Sequence, residues 1–488
     1  MEIHELSLTE QLNELKKGSF TSTELTQHYL DRISNFDEDI NSFITVTADL
    51  ALKQAKESDE RYKSNKALPL DGIPIAHKDI FCTENILTTC GSKMLSNFKA
   101  PYSSTVVNNL SSDGVVVLGK TNMDEFAMGS SNETSYFGHV KNPWNKEYVP
   151  GGSSGGSAAC VSAQLASAAT ATDTGGSIRQ PAALCGLTGI KPTYGRVSRY
   201  GMIAFASSLD QGGVLARSAE DSALLLESMS GHDPKDSTSL NKTVPSFLKN
   251  INTSIKGLKI GLPKEFFERD LPKHVESSTN ETIKTFKNLG AEIHEISLPN
   301  VNLSLPVYYI IAPAECSANL SRFDGVRFGL REPASGSYEM MNKTRAVGFG
   351  EEVKKRILLG TYALSAGYFD EYYGRALKVR SKIISDFQKA FDDFDFLISP
   401  TTPSPAFKFG EKTENPLEMY LSDLCTIPAN LAGLPAISIP TGLSNNNMPL
   451  SIQLMGKPCS DYSLLDLAES IEDMVSFNHL PKMTKGDK

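Results

Sequence analysis

The chain has 488 residues, enough to bury a large hydrophobic core. Its formal net charge of −9 argues against an extended nucleic-acid-binding surface. Its seven cysteines are dispersed without a CxxC pair, so we expect reduced thiols and no metal site. No apolar run approaches the ~18 residues that cross a membrane, and the first residues lack a signal-peptide pattern. We therefore expect a cytoplasmic protein that binds no membrane.

The first part of the chain, residues 1–65, is predicted to be helical. Amphipathic patterns cover residues 6–17 and 22–35, and the second pattern opens with the capping-box motif Thr21-x-x-Glu24. A third helix is expected over residues 47–62. This segment therefore precedes the strands of the predicted core.

A short apolar strand follows within residues 68–81, and it carries Lys78 near its end. Most lysines lie on solvated surfaces. Ala76 and Ile80, however, flank Lys78 on the same face of a strand, which favours burial. Burial disfavours the charged form of a lysine, so Lys78 is a candidate base.

Residues 114–121, GVVVLGKT, match the P-loop pattern GxxxxGK[ST] letter for letter. A phosphate-binding loop needs a strand before the first glycine and a flexible loop between the two glycines. Here the residues between the glycines, 115–118, are apolar and mostly β-branched, which is typical of a strand. We therefore predict a strand here and no nucleotide site.

The stretch from Gly151 to Pro181 contains two Gly/Ser clusters, at residues 151–157 and 175–177. Gly/Ser-rich stretches are most often flexible linkers. Here, however, they enclose an uncharged run of small residues, which favours a buried helix over residues 158–169 beneath both clusters. Glycine allows close backbone approach, so the two loops and their serines could meet at one active site.

The remainder of the chain alternates between helical and strand-like patterns. A helix is expected near residues 218–229, and the polar residues 231–256 are the best candidate for a surface linker. Strand-like runs follow at residues 258–262, 292–296, 396–399 and 436–440. This alternation predicts an α/β fold with a mostly parallel or mixed sheet. We predict one domain over residues 1–488, with the catalytic core in 66–230 and the rest of the sheet in 257–488.

Three nucleophile schemes fit the serines and lysines. Residues 152–156 match the hydrolase motif G-x-S-x-G around Ser154, but a proline-bounded loop precedes them where that motif needs a strand. The pattern S-x-x-K occurs at 239–242 and 246–249, both in the polar segment, which is consistent with chance. The third scheme combines Lys78 with the two Gly/Ser clusters.

The third scheme coincides with a known family. The runs GGSSGGSAA at 151–159 and TDTGGSIRQPA at 172–182, preceded by His-Lys-Asp at 77–79, closely resemble the amidase signature family. The resemblance implies an α/β fold whose central twisted mixed β-sheet is covered by helices on both faces. His77 departs from the pattern, since many members carry an aliphatic residue there, and we expect it to affect the tuning of Lys78.

The same resemblance implies a catalytic Ser-cisSer-Lys triad of Ser177, Ser153 and Lys78. Neutral Lys78 would accept a proton from Ser153, which relays one from the nucleophile Ser177. It also implies a cis peptide bond between Gly152 and Ser153. Asp173 and Arg179 flank the nucleophile and are expected to orient the loops. The backbone N–H groups expected to form an oxyanion hole are those of Thr174, Gly175, Gly176 and Ser177.

Within this family, the runs at residues 119–130, 205–211 and 321–327 most resemble the glutaminase subunits of tRNA-dependent amidotransferases. This implies that the chain hydrolyses glutamine and supplies ammonia for converting Glu-tRNA(Gln) to Gln-tRNA(Gln), or Asp-tRNA(Asn) to Asn-tRNA(Asn). The implied assembly is a heterotrimer. Its B subunit would bind tRNA and act as kinase and transamidase, and a small C subunit would wrap around this chain. ATP and Mg²⁺ would serve the complex, with no cofactor in this chain.

The resemblance also assigns residues to glutamine binding. Arginine suits a carboxylate because its guanidinium donates in parallel, and this role is assigned to Arg356. Asp423 would bind the ammonium group. Tyr309, Gly129 and Ser130 would line the same pocket.

Two alternatives remain open at this point. A free-standing amidase of the same family acting on another amide would keep the triad but would not need Arg356 and Asp423. A scaffold that stabilises a partner without turnover would need neither set, and the intact serines and lysine argue against it.

Overall fold

The computed structural model describes residues 2–246, 255–268, 271–413 and 415–483. An eleven-stranded mixed sheet forms its centre. The strands are β1 Phe43–Val46, β2 Pro74–Lys78, β3 Val116–Thr121, β4 Ala168–Asp173, β5 Thr188–Lys191, β6 Gln211–Ala216, β7 Lys259–Pro263, β8 Glu292–Ile296, β9 Phe396–Pro400, β10 Ala436–Leu443 and β11 Pro449–Gly456.

The order of the strands across the sheet is β1-β3-β2-β4-β6-β5-β10-β11-β9-β7-β8. Strand β2 pairs in parallel with β3 and β4, and β7 pairs in parallel with β8 and β9. The other neighbours, from β4 through β9 and at the β1 edge, are antiparallel. The prediction of a mixed sheet is confirmed. Residues 1–65, predicted to be helical, also contribute the edge strand β1 to it.

Fifteen α-helices are found within the described ranges. They are α1 Leu8–Lys17, α2 Ser22–Ile40, α3 Ala48–Lys63, α4 Thr105–Ser112, α5 Gly155–Ser162, α6 Arg179–Cys185, α7 Ala219–Met229, α8 Lys273–Asn288, α9 Ser304–Asn319, α10 Ser337–Gly348, α11 Glu351–Ala363, α12 Arg375–Asp393, α13 Pro416–Leu421, α14 Ile427–Leu431 and α15 Asp461–Val475. The capping box predicted at Thr21 and Glu24 is present at the start of α2.

The central strands are covered on both faces. Every residue of β2, β3, β4 and β6 is buried. Successive residues of a strand point to opposite faces of the sheet, so complete burial requires cover on both sides. Helices α5, α6, α7 and α15 pack against strands of this sheet. The expected layering of helices over both faces is therefore observed.

The strand predicted at the P-loop match is confirmed, whereas the helix predicted over residues 158–169 is only partly correct. Residues 116–121 form β3, which confirms the strand and removes the loop that a phosphate site needs. The helix predicted over 158–169 is wrong in extent. Helix α5 begins earlier, within the first Gly/Ser cluster, and ends at Ser162, and the chain enters β4 at Ala168. Gln164, with φ of 55°, marks the turn that separates the two.

The predicted linker over 231–256 is anchored rather than loose where it is described. Residues 231–246 contain no helix or strand, and 247–254 lie outside the described residues. Asp233 accepts hydrogen bonds from the hydroxyls of Thr105 and Ser198. These bonds fix the described half against the catalytic core because both carboxylate contacts are made to core residues.

Candidate active site

Lys78 ends strand β2 and is fully buried. Its Nζ donates hydrogen bonds of 2.8 Å to the hydroxyls of Ser153, Ser154 and Thr172. Burial lowers the pKa of Lys78 to about 7, although the carboxylate of Asp124 acts in the opposite direction. A large fraction of Lys78 is therefore neutral at physiological pH, as a general base requires.

Three segments meet at this lysine. Strand β4 is the parallel neighbour of β2 and carries Thr172. The first Gly/Ser cluster brings Ser153 and Ser154 to the start of α5. The peptide bond between Gly152 and Ser153 is cis, which confirms the bond that the family resemblance implied. A lysine surrounded by hydroxyls is thus assembled from the sheet and one loop.

His77 lies on the opposite face of β2 from Lys78, as expected for adjacent strand residues. Its Nδ1 is 3.2 Å from the hydroxyl of Thr170, and burial lowers its pKa to about 3. At that pKa the His77 ring is neutral at physiological pH and adds no charge beside Lys78. The structure therefore gives no support to tuning of Lys78 by His77.

The second Gly/Ser cluster forms a tight loop between β4 and α6. The hydroxyl of Thr426 donates to the carbonyl of Gly175 at 2.7 Å. Ser177 keeps 8% of its surface exposed. Within the described ranges no hydrogen bond joins the hydroxyls of Ser177 and Ser153, so the proton relay between them stays a prediction.

The predicted oxyanion hole needs one correction. The N–H of Gly176 donates to Oδ1 of Asp173 at 2.7 Å, so it is already engaged within the loop. The hydroxyl of Thr174 donates to Asp210, which fixes the start of the loop. The backbone donors that remain available for the predicted role are those of Thr174, Gly175 and Ser177.

A buried ion pair between Asp173 and Arg179 supports the loop that carries Ser177. Nε and Nη2 of Arg179 lie 3.0 and 3.1 Å from the two carboxylate oxygens of Asp173, and both side chains are fully buried. Burial alone raises the pKa of Asp173, but the charge of Arg179 overrides it and lowers the pKa to about 2. Arg179 also donates to Asn430 and Gln453. The pair orients the loop, in agreement with the expectation from sequence.

We expect Arg179→Met to destabilise the fold by about 3–5 kcal/mol, because the change leaves Asp173 buried without its charge partner. Equilibrium unfolding in urea measures this difference. Lys146→Met is the control, since its ion pair with Asp39 is exposed and should contribute less than about 1 kcal/mol. Equal losses in the two variants would contradict the structural role of the buried pair.

A pocket of about 220 Å³ lies between residues 129–134, helix α11 and helix α13. Its lining includes Gly129, Ser130, Glu352, Lys355, Arg356, Lys412, Met419 and Tyr420. Arg356 is only 4% exposed, and its Nε donates to Glu352 at 2.8 Å. Its guanidinium carbon lies 5.6 Å from the ring centre of Tyr309. The structure thus places three of the five predicted glutamine-binding residues in the pocket lining, with Tyr309 directly behind.

Asp423, the remaining member of that set, is buried and accepts a hydrogen bond from the hydroxyl of Ser130. Burial raises the pKa of Asp423 to about 7. A Cβ atom placed on Gly176 would lie 3.4 Å from Oδ1 of Asp423. The acid therefore touches both the pocket lining and the loop that carries Ser177.

The model of the family described as Amidase matches residues 24–465. The chain belongs to the amidase family. It is 57% identical over 477 residues to the A subunit of glutamyl-tRNA(Gln) amidotransferase from Cellvibrio japonicus, covering 98% of each chain. It is 55% identical over 466 residues to the protein of the same name from Coxiella burnetii, covering 95% of this chain and 96% of that relative.

Solved structures of related proteins agree with the assignment of this chain to the amidase family. The A subunit of glutamyl-tRNA(Gln) amidotransferase from Thermotoga maritima superposes with a TM-score of 0.83 at 40% identity, covering 99% of both chains. The peptide amidase of Stenotrophomonas maltophilia gives a TM-score of 0.83 at 28% identity, covering 98% of both chains. The predicted family and fold are therefore confirmed.

Several contacts of this amidase site escaped the sequence analysis. Glu352 pairs with Arg356 from one helical turn earlier, a spacing that an i, i+4 search would find. Ser154 and Thr172 share Lys78 with Ser153. Tyr420 stacks on Tyr309 with ring centres 3.8 Å apart.

Two features of the described residues concern metals and membranes. In the described part of the chain, no group of three or more His, Cys, Asp and Glu side chains is arranged to hold a metal ion. Within the same ranges, no helix combines the length and hydrophobicity needed to cross a bilayer.

Proposed function

We propose that this amidase is the glutaminase subunit of a tRNA-dependent amidotransferase. It would supply ammonia for converting Glu-tRNA(Gln) to Gln-tRNA(Gln), and the same subunit type can serve Asp-tRNA(Asn). The observation that carries the proposal is a pocket lined by Arg356 and Ser130, in which Ser130 donates to Asp423, the acid that also approaches Gly176 next to Ser177. One cation and one acid suit the carboxylate and ammonium groups of a free amino acid. The names of the Cellvibrio and Thermotoga relatives support the same proposal.

The reaction follows from the hydroxyls and the buried amine. Neutral Lys78 accepts the proton of Ser153 while Ser153 accepts that of Ser177, and Oγ of Ser177 attacks the side-chain amide carbon. The relayed proton passes to the leaving nitrogen, and ammonia departs. Water then hydrolyses the glutamyl ester. Each backbone donor at the oxyanion contributes on the order of 3 kcal/mol to transition-state stabilisation.

Glutamine itself would be held at its α-carbon end. The Nε of Arg356 is engaged by Glu352, so the two Nη groups are left to bind the α-carboxylate. Asp423 would bind the α-ammonium group. Because an adjacent cation favours the charged form of a carboxyl, substrate binding would lower the pKa of Asp423 from its raised value. Tyr309 would form the wall of the pocket.

The partner assignments belong to the same proposal. A B subunit would bind tRNA and use ATP and Mg²⁺, a small C subunit would complete a cytoplasmic heterotrimer, and ammonia would pass between the two active sites. A net charge of −9 supports a chain that leaves most of the tRNA contact to its partner.

Release of ammonia from glutamine tests this function. The full chain is assayed alone and with the proposed B and C subunits, ATP and Glu-tRNA(Gln). We expect release to rise when the partners are present. Brisk release from simple amides by the chain alone, without any effect of the partners, would instead support a free-standing amidase.

Arg356→Ala is expected to lower kcat/KM for glutamine about 10- to 100-fold, mainly through KM, because a charge-assisted contact to the carboxylate is lost. Hydrolysis of butyramide, which has no α-carboxylate, should change little. Arg345→Ala is the matched control, since Arg345 also lies over an aromatic ring, 5.0 Å from the centre of Phe349. An unchanged KM for glutamine in Arg356→Ala would contradict the assignment.

A further inference from the structure

Gln180 connects two segments of the site through one side-chain amide. Its Oε1 accepts from the N–H of Gly152 at 2.9 Å, and its Nε2 donates to the carbonyl of Ser130 at 2.6 Å. The side chain is buried, at 1% exposure. We call residues 129–134 the substrate loop and residues 151–153 the cis-serine segment. Gln180 therefore bonds to both of them at once.

Asp124 makes a second connection between the same two segments. Its Oδ2 accepts from the N–H of Asn132 at 2.9 Å, and its Oδ1 accepts from the hydroxyl of Thr134 at 2.8 Å. Its own N–H donates to the carbonyl of Ser153 at 3.2 Å. Like Gln180, Asp124 is fully enclosed by protein.

Both connecting side chains press directly against the glycine backbone of the cis-serine segment. A Cβ atom on Gly152 would clash with Oδ2 of Asp124, and one on Gly151 would clash with Oε1 of Gln180. Both positions require glycine because the side chains approach the backbone directly. Because these contacts leave no room for a side chain between the two segments, a displacement of the substrate loop toward the cis-serine segment would be transmitted to it.

The substrate loop is also bonded to the acid of the pocket. The hydroxyl of Ser130 donates to Asp423, while the carbonyl of the same residue accepts from Gln180. A continuous path of hydrogen bonds thus runs from Asp423 through Ser130 and Gln180 to Gly152, next to the residue that contacts Lys78.

We propose that Gln180 and Asp124 are positioning residues that couple the substrate loop to the cis-serine segment. A substrate that engages Asp423 and Ser130 then fixes Ser153 in the geometry that exchanges a proton with Lys78. Amides without an α-ammonium group do not engage the loop and gain less from this alignment. The inference rests on the proposed glutaminase function and adds to it a source of selectivity for amino-acid amides.

Gln180→Met tests the coupling. Methionine is similar in length but has neither the N–H donors nor the carbonyl acceptor, so both bonds are lost. The full chain is produced with its proposed B and C subunits, and kcat/KM is measured for glutamine and for butyramide. We expect the preference for glutamine over butyramide to fall about 10- to 100-fold, the size of effect that a misplacement of ~1 Å produces. A preference equal to that of the wild type would overturn the coupling.

A double-mutant cycle with Ser130→Ala separates coupling from general loosening. If both side chains act through the substrate loop, the double variant should lose no more than about twofold beyond the more impaired single variant. Independent losses that multiply would overturn the proposal. A wild-type complex that releases no ammonia from glutamine overturns the proposed function first, before any variant is compared.

Gln11→Met is the matched structural control. Gln11 is also a buried bridging amide, which donates to the hydroxyl of Tyr29 and accepts from that of Ser167, away from the pocket. It should lower thermal stability and leave the preference for glutamine unchanged. If Gln180→Met does not fold, Asp124→Asn replaces it in the same cycle. Asparagine keeps the shape of the side chain but loses one of its two acceptor oxygens. A wild-type preference in Asp124→Asn would then overturn the proposal.

Discussion

Replacing Ser177 with alanine is expected to reduce glutamine turnover by about 10⁴- to 10⁶-fold. Without the hydroxyl no glutamyl ester forms, and the residual rate comes from binding and backbone donors alone. The measurement is ammonia release under single-turnover conditions. Acid-quenched mass spectrometry of the wild type should place the ester on Ser177. An ester on Ser153 or Ser154 would contradict the assigned nucleophile.

The structure indicates that this substitution leaves the loop intact. The loop is held by the N–H of Gly176 on Asp173, by Arg179 and by the hydroxyl of Thr426. None of these contacts uses the hydroxyl of Ser177. The loss of activity should therefore occur without a comparable loss of stability.

Ser162→Ala is the control for Ser177→Ala. Ser162 is a buried serine of α5 whose hydroxyl donates to the carbonyl of Cys185 at 2.8 Å, away from Lys78. Its removal should cost about 1 kcal/mol of stability and leave turnover within about twofold of the wild type. Full activity in Ser177→Ala would remove the acyl-enzyme mechanism altogether.

The elements that sequence reasoning found are those with strong local signals. Capping motifs and apolar periodicity located α2, and a β-branched run located β3. Strands β1 and β11 were not predicted, and neither were β4, β5 and β6. The last three have the sequences AATATD, TGIK and QGGVLA, which contain many small residues. Such residues have weak strand propensity, and their pairing within a buried sheet imposes the strand. No local pattern carries that information.

The features of the site also differ in whether a local sequence signal predicts them. Burial of Lys78 follows from its neighbours on a strand, and the engagement of Gly176 by Asp173 is a local side-chain bond that the order Asp-Thr-Gly-Gly already suggests. The bond from Ser130 to Asp423, by contrast, joins residues 293 positions apart. Its partners are brought together by the sheet, so the sequence alone gives no signal for it.

Lys78→Arg is expected to lower kcat for glutamine by about 10²- to 10⁴-fold, the contribution of a general base. A guanidinium stays protonated at any working pH and cannot accept a proton from Ser153. In the wild type, burial lowers the pKa of Lys78 to about 7. Since the neutral amine is the active form, kcat/KM should rise with pH and level off above about pH 7.

Lys191, Asp423, Glu125 and Glu469 also have pKa values near 7, and the first two are separated from Lys78 as follows. Burial lowers the pKa of Lys191 to about 7 and raises that of Asp423 to about 7. Lys191 donates to the backbone carbonyls of Pro192 and Leu434, so Lys191→Met should shift stability and keep the midpoint of the pH profile.

Butyramide removes the contribution of Asp423, because it has no ammonium group for that carboxylate to bind. Its kcat/KM should therefore keep the rise through about pH 7 that belongs to Lys78, whereas the glutamine profile should be steeper because two groups must both be deprotonated. A butyramide profile that is flat between about pH 6 and 8 would exclude Lys78 as the base. A rise that persists in Lys191→Met and disappears in Lys78→Arg identifies the buried lysine beside Ser153 as the group that titrates.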